Sequence, residues 1–165
     1  MPKSRRFFLK EREAKALVDE ASKKLKMDLK RIFGSDFRLE LAEADFGEVY
    51  LVKGKPAFFK AGGNLYPTLL FDEVFAAMPK VVVDMGAVPH VCNGADVMAP
   101  GIVRFEGDFR KGDLVVVVDE KHGKPLMVGE ALYDASEAVN VKRGVVFRNV
   151  HFVGDRVWKA IKELV

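Results

Sequence analysis

A chain of 165 residues, 49% hydrophobic and 31% charged, is globular in composition and long enough for one ordinary domain or two small ones. No apolar run approaches the ~20 residues that span a bilayer, the N-terminus KSRRFFLKERE returns to charge after three apolar residues and so is no secretory signal, and the single Cys92 excludes an internal disulfide or a thiolate metal site and points to a reducing, cytoplasmic setting. The net charge of +3 is unevenly spread: residues 1–31 carry 11 Lys and Arg against 5 Asp and Glu, whereas residues 80–165 carry 12 of each, so attraction for polyanions lies at the front of the chain.

Arg5 to Leu9 is predicted as a strand, and Lys10 to Met27 places Ala14, Leu17, Val18, Ala21 and Leu25 at helical spacing. Glu11 and Glu13 at the start and lysines at the end suit the helix dipole. The polar positions Lys15, Lys23, Lys24 and Lys26 form either a solvated face laced with ion pairs or a contact surface. Arg5 and Arg6 beside two phenylalanines favour a contact surface, although the same interleaving also suits core packing with snorkelling side chains. Strands are predicted at Arg38–Ala42, Gly47–Val52 and Ala57–Lys60, the last two joined by a turn at Lys53-Gly54-Lys55-Pro56. Tyr66-Pro67-Thr68 then breaks the sheet, and Thr68 is expected to cap a helix that carries Asp72 and Glu73 in its first turn and ends at Pro79. A domain boundary is placed at Met78–Lys80.

The second half opens with VVVDMGAVPHVCNGADVMAPGIV, Val81 to Val103. Val81–Val83 is a β-branched run too short for a helix and reads as a buried strand. Gly86 frees the backbone to turn, Pro89 suits the first turn of a helix, Gly94 ends it, and Pro100-Gly101 redirects the chain into the apolar Ile102-Val103. Gly86, Ala87, Gly94, Ala95 and Gly101 either make tight turns only or form a surface low enough for a phosphate or sugar to approach backbone N–H groups. Strands follow at Leu114–Val118 and Leu126–Ala131, a hairpin closed by His122-Gly123-Lys124, and at Val145–Val150. Asp134–Val139 reads as one helical turn. A closing helix is predicted over Arg156–Leu164, capped by Asp155, with Trp158 and Ile161 facing inward. Many short strands with few helices indicate a small barrel-like β domain. The absence of Gln and the presence of four Asn, with abundant Lys, Glu and Val, match the bias of heat-adapted proteins.

The stretch from Val81 to Val103, the hairpin LMVGEA (Leu126–Ala131) and the closing GVVFRNVHFVGD (Gly144–Asp155) resemble a PUA domain, the RNA-binding module of pseudouridine synthases and archaeosine transglycosylases. The segments PAFFK (Pro56–Lys60) and GNLYPTL (Gly63–Leu69) resemble the domain that precedes PUA in the malignant-T-cell-amplified-sequence and translation-machinery-associated family. The resemblance implies an α+β fold with an N-terminal α/β pre-PUA domain, residues 1–78, followed by a small mixed β-barrel-like PUA domain with a C-terminal helix, residues 79–165. It implies a non-catalytic RNA-binding protein of the translation machinery, bound to structured RNA such as small-subunit rRNA or tRNA. The small ribosomal subunit and an initiation-factor-like protein are its implied partners, and an archaeal source fits the composition. Carried over by position, the RNA site comprises Gly86, Ala87, Gly94, Ala95, Val97, Met98, Pro100 and Gly101, with Arg148 and His151 as additions. Arg5, Arg6, Lys23, Lys24 and Lys26 form the accompanying basic surface.

No enzymatic constellation can be assembled. His90 and Cys92 are two residues apart and lack an orienting acid, so Cys92 reads as a small packing residue. His122 in a turn and His151 in a strand leave three scattered histidines, which argues against a His metal site. Asp84 after a strand has no paired base and reads as a turn acceptor. No cofactor motif is present, neither GxGxxG nor GxxxxGK[ST]. Two other readings stay open: an adaptor that docks an initiation-factor-like partner through Phe7, Phe8, Phe58 and Phe59, and an accessory subunit that delivers tRNA to a modifying enzyme.

Overall fold

Hydrophobic alternation in the first half of the chain closes a five-stranded antiparallel meander, in the order β1 (Arg6–Phe8), β2 (Leu39–Ala44), β3 (Gly47–Val52), β4 (Lys55–Ala61) and β5 (Asn64–Pro67). The computed structural model describes residues 5–165. The helix α1 (Glu11–Leu25) buries Ala14, Leu17, Val18 and Ala21, the positions its 3.6-residue period selects. It stops where Lys26 enters the left-handed region at φ 55° and Met27 N–H returns to the Ser22 carbonyl at 3.1 Å. Two side chains tie this helix to the sheet: Lys24 Nζ lies 4.3 Å over the ring of Tyr66, and Glu20 meets Lys60 at 3.8 Å. A short α2 (Leu29–Phe33), which the sequence reading left unassigned, seats Phe33 against Phe58 and Phe71 with ring centroids 5.9 and 5.3 Å away.

Two expectations for this half are corrected. Tyr66 and Pro67 do not break the sheet; they pair with Phe59 and Phe58 as the edge strand β5, where a proline with no N–H is tolerated. Thr68 does not cap the next helix. Its hydroxyl is buried and donates to the Pro56 carbonyl at 2.8 Å while accepting from Leu70 N–H at 3.3 Å, and α3 begins only at Asp72 and ends at Ala76, short of Pro79.

The second half forms a curled six-stranded mixed sheet, in the order β7-β11-β10-β9-β6-β8. Its strands are β6 (Lys80–Val83), β7 (Val97–Met98), β8 (Ile102–Glu106), β9 (Leu114–Asp119), β10 (Pro125–Ala131) and β11 (Val145–Phe152). The pair β6 and β9 is parallel and the others are antiparallel. All six residues of β9 are buried: the apolar run Leu114–Val118, and Asp119 at its end, whose carboxylate accepts from the His122 and Lys124 N–H groups. Phe109, Val117, Met127, Val146 and Phe147 lie at the centre of the core. Gly129 of β10 sits at a register shift, and a Cβ there would lie 3.3 Å from Cβ of Phe147, so the bare backbone lets the two strands close on each other. Three short helices complete the element list: α4 (Val88–Val91), α5 (Ala135–Ala138) and α6 (Arg156–Glu163).

By contact density the chain divides into two units, one running to Ala76 and taking in Lys159–Val165, the other Ala77–Trp158. The last seven residues, assigned from sequence to the second domain, thus group with the first unit.

Candidate nucleic-acid interface

The parallel pairing of β6 with β9 carries the chain to Asp84, where the local sequence dictates a turn. The Asp84 carboxylate accepts from Ala87 N–H at 2.8 Å, and Asp84 N–H donates to the Gly101 carbonyl at 2.9 Å. Pro89 in the first turn of α4 has no N–H to satisfy. The helix ends within one turn, with Gly94 at φ +95° and Ala95 N–H on the His90 carbonyl at 3.0 Å. The chain then enters β7, makes a 3-10 turn at Ala99–Gly101, and leaves along β8. A Cβ at Gly101 would meet Cβ of Ala87 at 3.0 Å, so this glycine lets the returning turn pass close to the start of α4.

These segments enclose a groove of about 560 Å³. Gly86, Ala87, Ala95, Val97, Met98, Pro100 and Gly101, all singled out from the sequence, line it together. Asp84, His90 and Asp96 line it as well, so its charged lining contains no lysine or arginine. Asp96 accepts from the Asn149 N–H at 2.7 Å.

The remaining sequence-selected residues stand elsewhere. Gly94 does not line the groove; its left-handed backbone at φ +95°, and not crowding, selects glycine there. Arg148 is exposed on β11 and donates through Nε to Glu130 Oε1 at 3.0 Å. His151, expected as an RNA contact, is fully buried and its Nδ1 donates to Asp155 at 2.9 Å, so it presents no atom to a ligand arriving from solvent. Asp155 also accepts from Phe152 N–H at 2.9 Å and, as the cap of α6, from Trp158 N–H at 2.7 Å. Burial raises its pKa, but the hydrogen bond and charge of His151 and the two N–H groups outweigh this and hold the carboxyl below the ordinary aspartate range. Helix α6 buries Val157 and Ile161, while Trp158 is half-buried.

Asn149 was not singled out from the sequence, yet it organises the groove wall. From β11 its Nδ2 reaches the Val91 carbonyl at 3.2 Å and the Ala95 carbonyl at 2.9 Å, fixing the end of α4 and the loop after it. A polar amide inside a strand, where asparagine is disfavoured, was the available signal.

The basic set is only partly available. Arg6 holds Glu40 through two nitrogens, each at 2.9 Å, and donates to the Leu164 carbonyl at 3.2 Å. Lys24 is engaged with Tyr66. Arg5, 3.8 Å from Glu43, and Lys23 and Lys26 are exposed. His90 is exposed and Cys92 half-buried, and burial pushes the thiol pKa up while the charge of Lys124 opposes it. Among the described residues, no group of three His, Cys, Asp or Glu side chains is placed to hold a metal ion, and no helix is long and apolar enough to cross a membrane.

Residues 79–153 match the model of the PUA domain, and residues 5–71 match that of a domain of unknown function, DUF1947. An uncharacterized protein of Methanocaldococcus jannaschii is 36% identical over 157 residues, which cover 93% of this chain and 95% of that protein. Translation machinery-associated protein 20 of Saccharomyces cerevisiae is 32% identical over 118 residues, 67% of this chain and 65% of the yeast protein. The crystal structure of a PUA domain protein of Aeropyrum pernix superposes with a TM-score of 0.83 at 30% identity, covering 98% of this chain and 93% of that one.

Proposed function

From the premise that the chain belongs to the family of PUA-domain proteins with an N-terminal DUF1947 module, which includes the yeast translation machinery-associated proteins, we propose that it is a non-catalytic RNA-binding protein of the translation machinery. The observation that carries this reading is the small-residue groove bounded by α4, β7 and the 3-10 turn. Its floor has little side-chain bulk, so the edge of a nucleotide base or its sugar can come within reach of main-chain groups. With Asp84 and Asp96 on its wall and no cation, the groove suits base edges that carry N–H donors and not phosphates, whose attraction falls to lysines and arginines elsewhere on the chain. Gly86, Ala87, Ala95, Met98, Pro100 and Gly101 are the proposed contacts, while Val97, which is buried in the core, supports the groove wall. Structured RNA of the small ribosomal subunit, or tRNA, is the proposed ligand, and an initiation-factor-like protein is the proposed partner.

Ala95→Glu tests the reading, because Ala95 is exposed and the new side chain fills and charges the groove without entering the core. Crosslinking in cell extract with sequencing of the bound RNA, alongside co-sedimentation with the small ribosomal subunit, is expected to recover small-subunit rRNA or tRNA with the native protein. The Ala95→Glu protein is expected to lose at least about tenfold of this recovery, the scale of one mismatched polar contact. Equal recovery by the variant rejects the groove as the site.

A further inference from the structure

We propose that β1 of the first unit is a stacking platform for unpaired nucleotides of RNA. The proposal rests on the RNA-binding reading above and adds a second contact on the other unit. Phenylalanine is ordinarily a core residue, and Phe33, Phe58, Phe59, Phe71 and Phe75 of this unit are buried, yet Phe7 is 40% and Phe8 51% exposed. As successive strand residues they stand on opposite faces of an edge strand.

Each ring carries a guanidinium: the Arg5 carbon lies 5.5 Å from the Phe7 centroid, and that of Arg38 4.1 Å from Phe8. Resting on Phe8 orders Arg38 without neutralising it, and Arg38 forms no ion pair with any described residue. An arginine on an aromatic ring offers a base a stacking surface and a phosphate its N–H groups at the same time. Arg38 also forms part of the wall of a groove of about 1120 Å³ between the start of α1, α2 and the loop into β2, where Lys15 and Arg31 are likewise without an ion pair among the described residues. Glu11, Asp28 and Asp36 share that groove, so it is no general phosphate trap; stacking carries the selectivity and the cations at its edge supply attraction. The excess of 11 basic over 5 acidic residues in positions 1–31 favours a polyanion over a protein. With three residues, β1 is also too short an edge to add a peptide strand securely.

The full chain is titrated by fluorescence anisotropy with labelled oligouridylate and with a blunt-ended RNA duplex. Phe8→Ala is expected to weaken oligouridylate binding about five- to hundredfold, the range of one lost base–aromatic stack. Arg38→Lys, which keeps the charge and loses the planar group, is expected to act in the same direction, with duplex affinity preserved for both variants. Circular dichroism melting shows that each variant is folded. Unchanged oligouridylate binding overturns the inference, as does an equal loss for both RNAs, which is an effect of charge alone. If Ala95→Glu abolishes binding of structured RNA while Phe8→Ala leaves oligouridylate binding untouched, this inference fails and the groove reading stands; if the native chain binds neither RNA, both fail.

Discussion

Replacing Asp155 by alanine removes one carboxylate that serves three partners. It caps α6 through Trp158 N–H at 2.7 Å, holds Phe152 N–H at 2.9 Å, and accepts from Nδ1 of His151 at 2.9 Å, with side-chain exposures of 0% for His151 and 13% for Asp155. Loss of the cap costs about 1 kcal/mol, and leaving a buried imidazole N–H without an acceptor costs about 1–3 kcal/mol more, so about 2–4 kcal/mol is expected in total. Urea unfolding followed through the chain's single tryptophan, Trp158, reads this at the site itself and is expected to show a midpoint lowered by about 1 M or more. The pH dependence provides a second reading. Because folding depresses the Asp155 pKa, its contribution is complete above the ordinary aspartate value of about 3.9 and is lost as pH falls from there through the lower folded value. Asp155→Asn, which cannot ionise, is expected to lack that acid-side loss. A change below about 0.5 kcal/mol on Asp155→Ala, within the range of ordinary surface substitutions, or identical acid profiles for the native and Asp155→Asn proteins, would refute the reasoning.

Gly47 opens β3 at φ +149°, and a Cβ there would stand 2.0 Å from the Lys60 carbonyl oxygen, so Gly47→Ala is expected to destabilise the first unit by about 3 kcal/mol or more as β3 and β4 are forced apart. Chemical denaturation checks this, and a loss under about 1 kcal/mol contradicts the clash. Burial raises the Cys92 pKa, so at neutral pH its alkylation by iodoacetamide is expected to be slower than that of the same thiol in the urea-unfolded chain; equal rates would contradict the burial argument.

Elements carried by local pattern were legible in the sequence. The period of α1, the apolar run of β9, the hairpin to β10 and the turn residues between Asp84 and Gly101 each declare themselves within a few neighbours; of the groove lining, Gly86, Ala87, Ala95 and Gly101 were legible as small residues, while Val97, Met98 and Pro100 were selected by the resemblance. The resemblance to a PUA domain rested on this stretch too.

What the local pattern could not carry was pairing across long sequence separations. Pro67 reads as a breaker until β4 supplies its partner, and Thr68 reads as a cap until Pro56 claims its hydroxyl. His151 was carried over as an RNA contact by its position in the family, but its strand position does not say which way it faces, and β11, which runs on to Phe152, buries it against Asp155. Whether Arg6 and Lys24 were paired or open stayed undecided until Glu40 and Tyr66 came beside them, and Asn149 gained its role from carbonyls more than 50 residues away. Turns and periodicity act over a few residues and are written into the chain itself. Which charges stay free, and which polar groups are spent inside the fold, depends on neighbours that only the closed sheets bring within hydrogen-bonding distance.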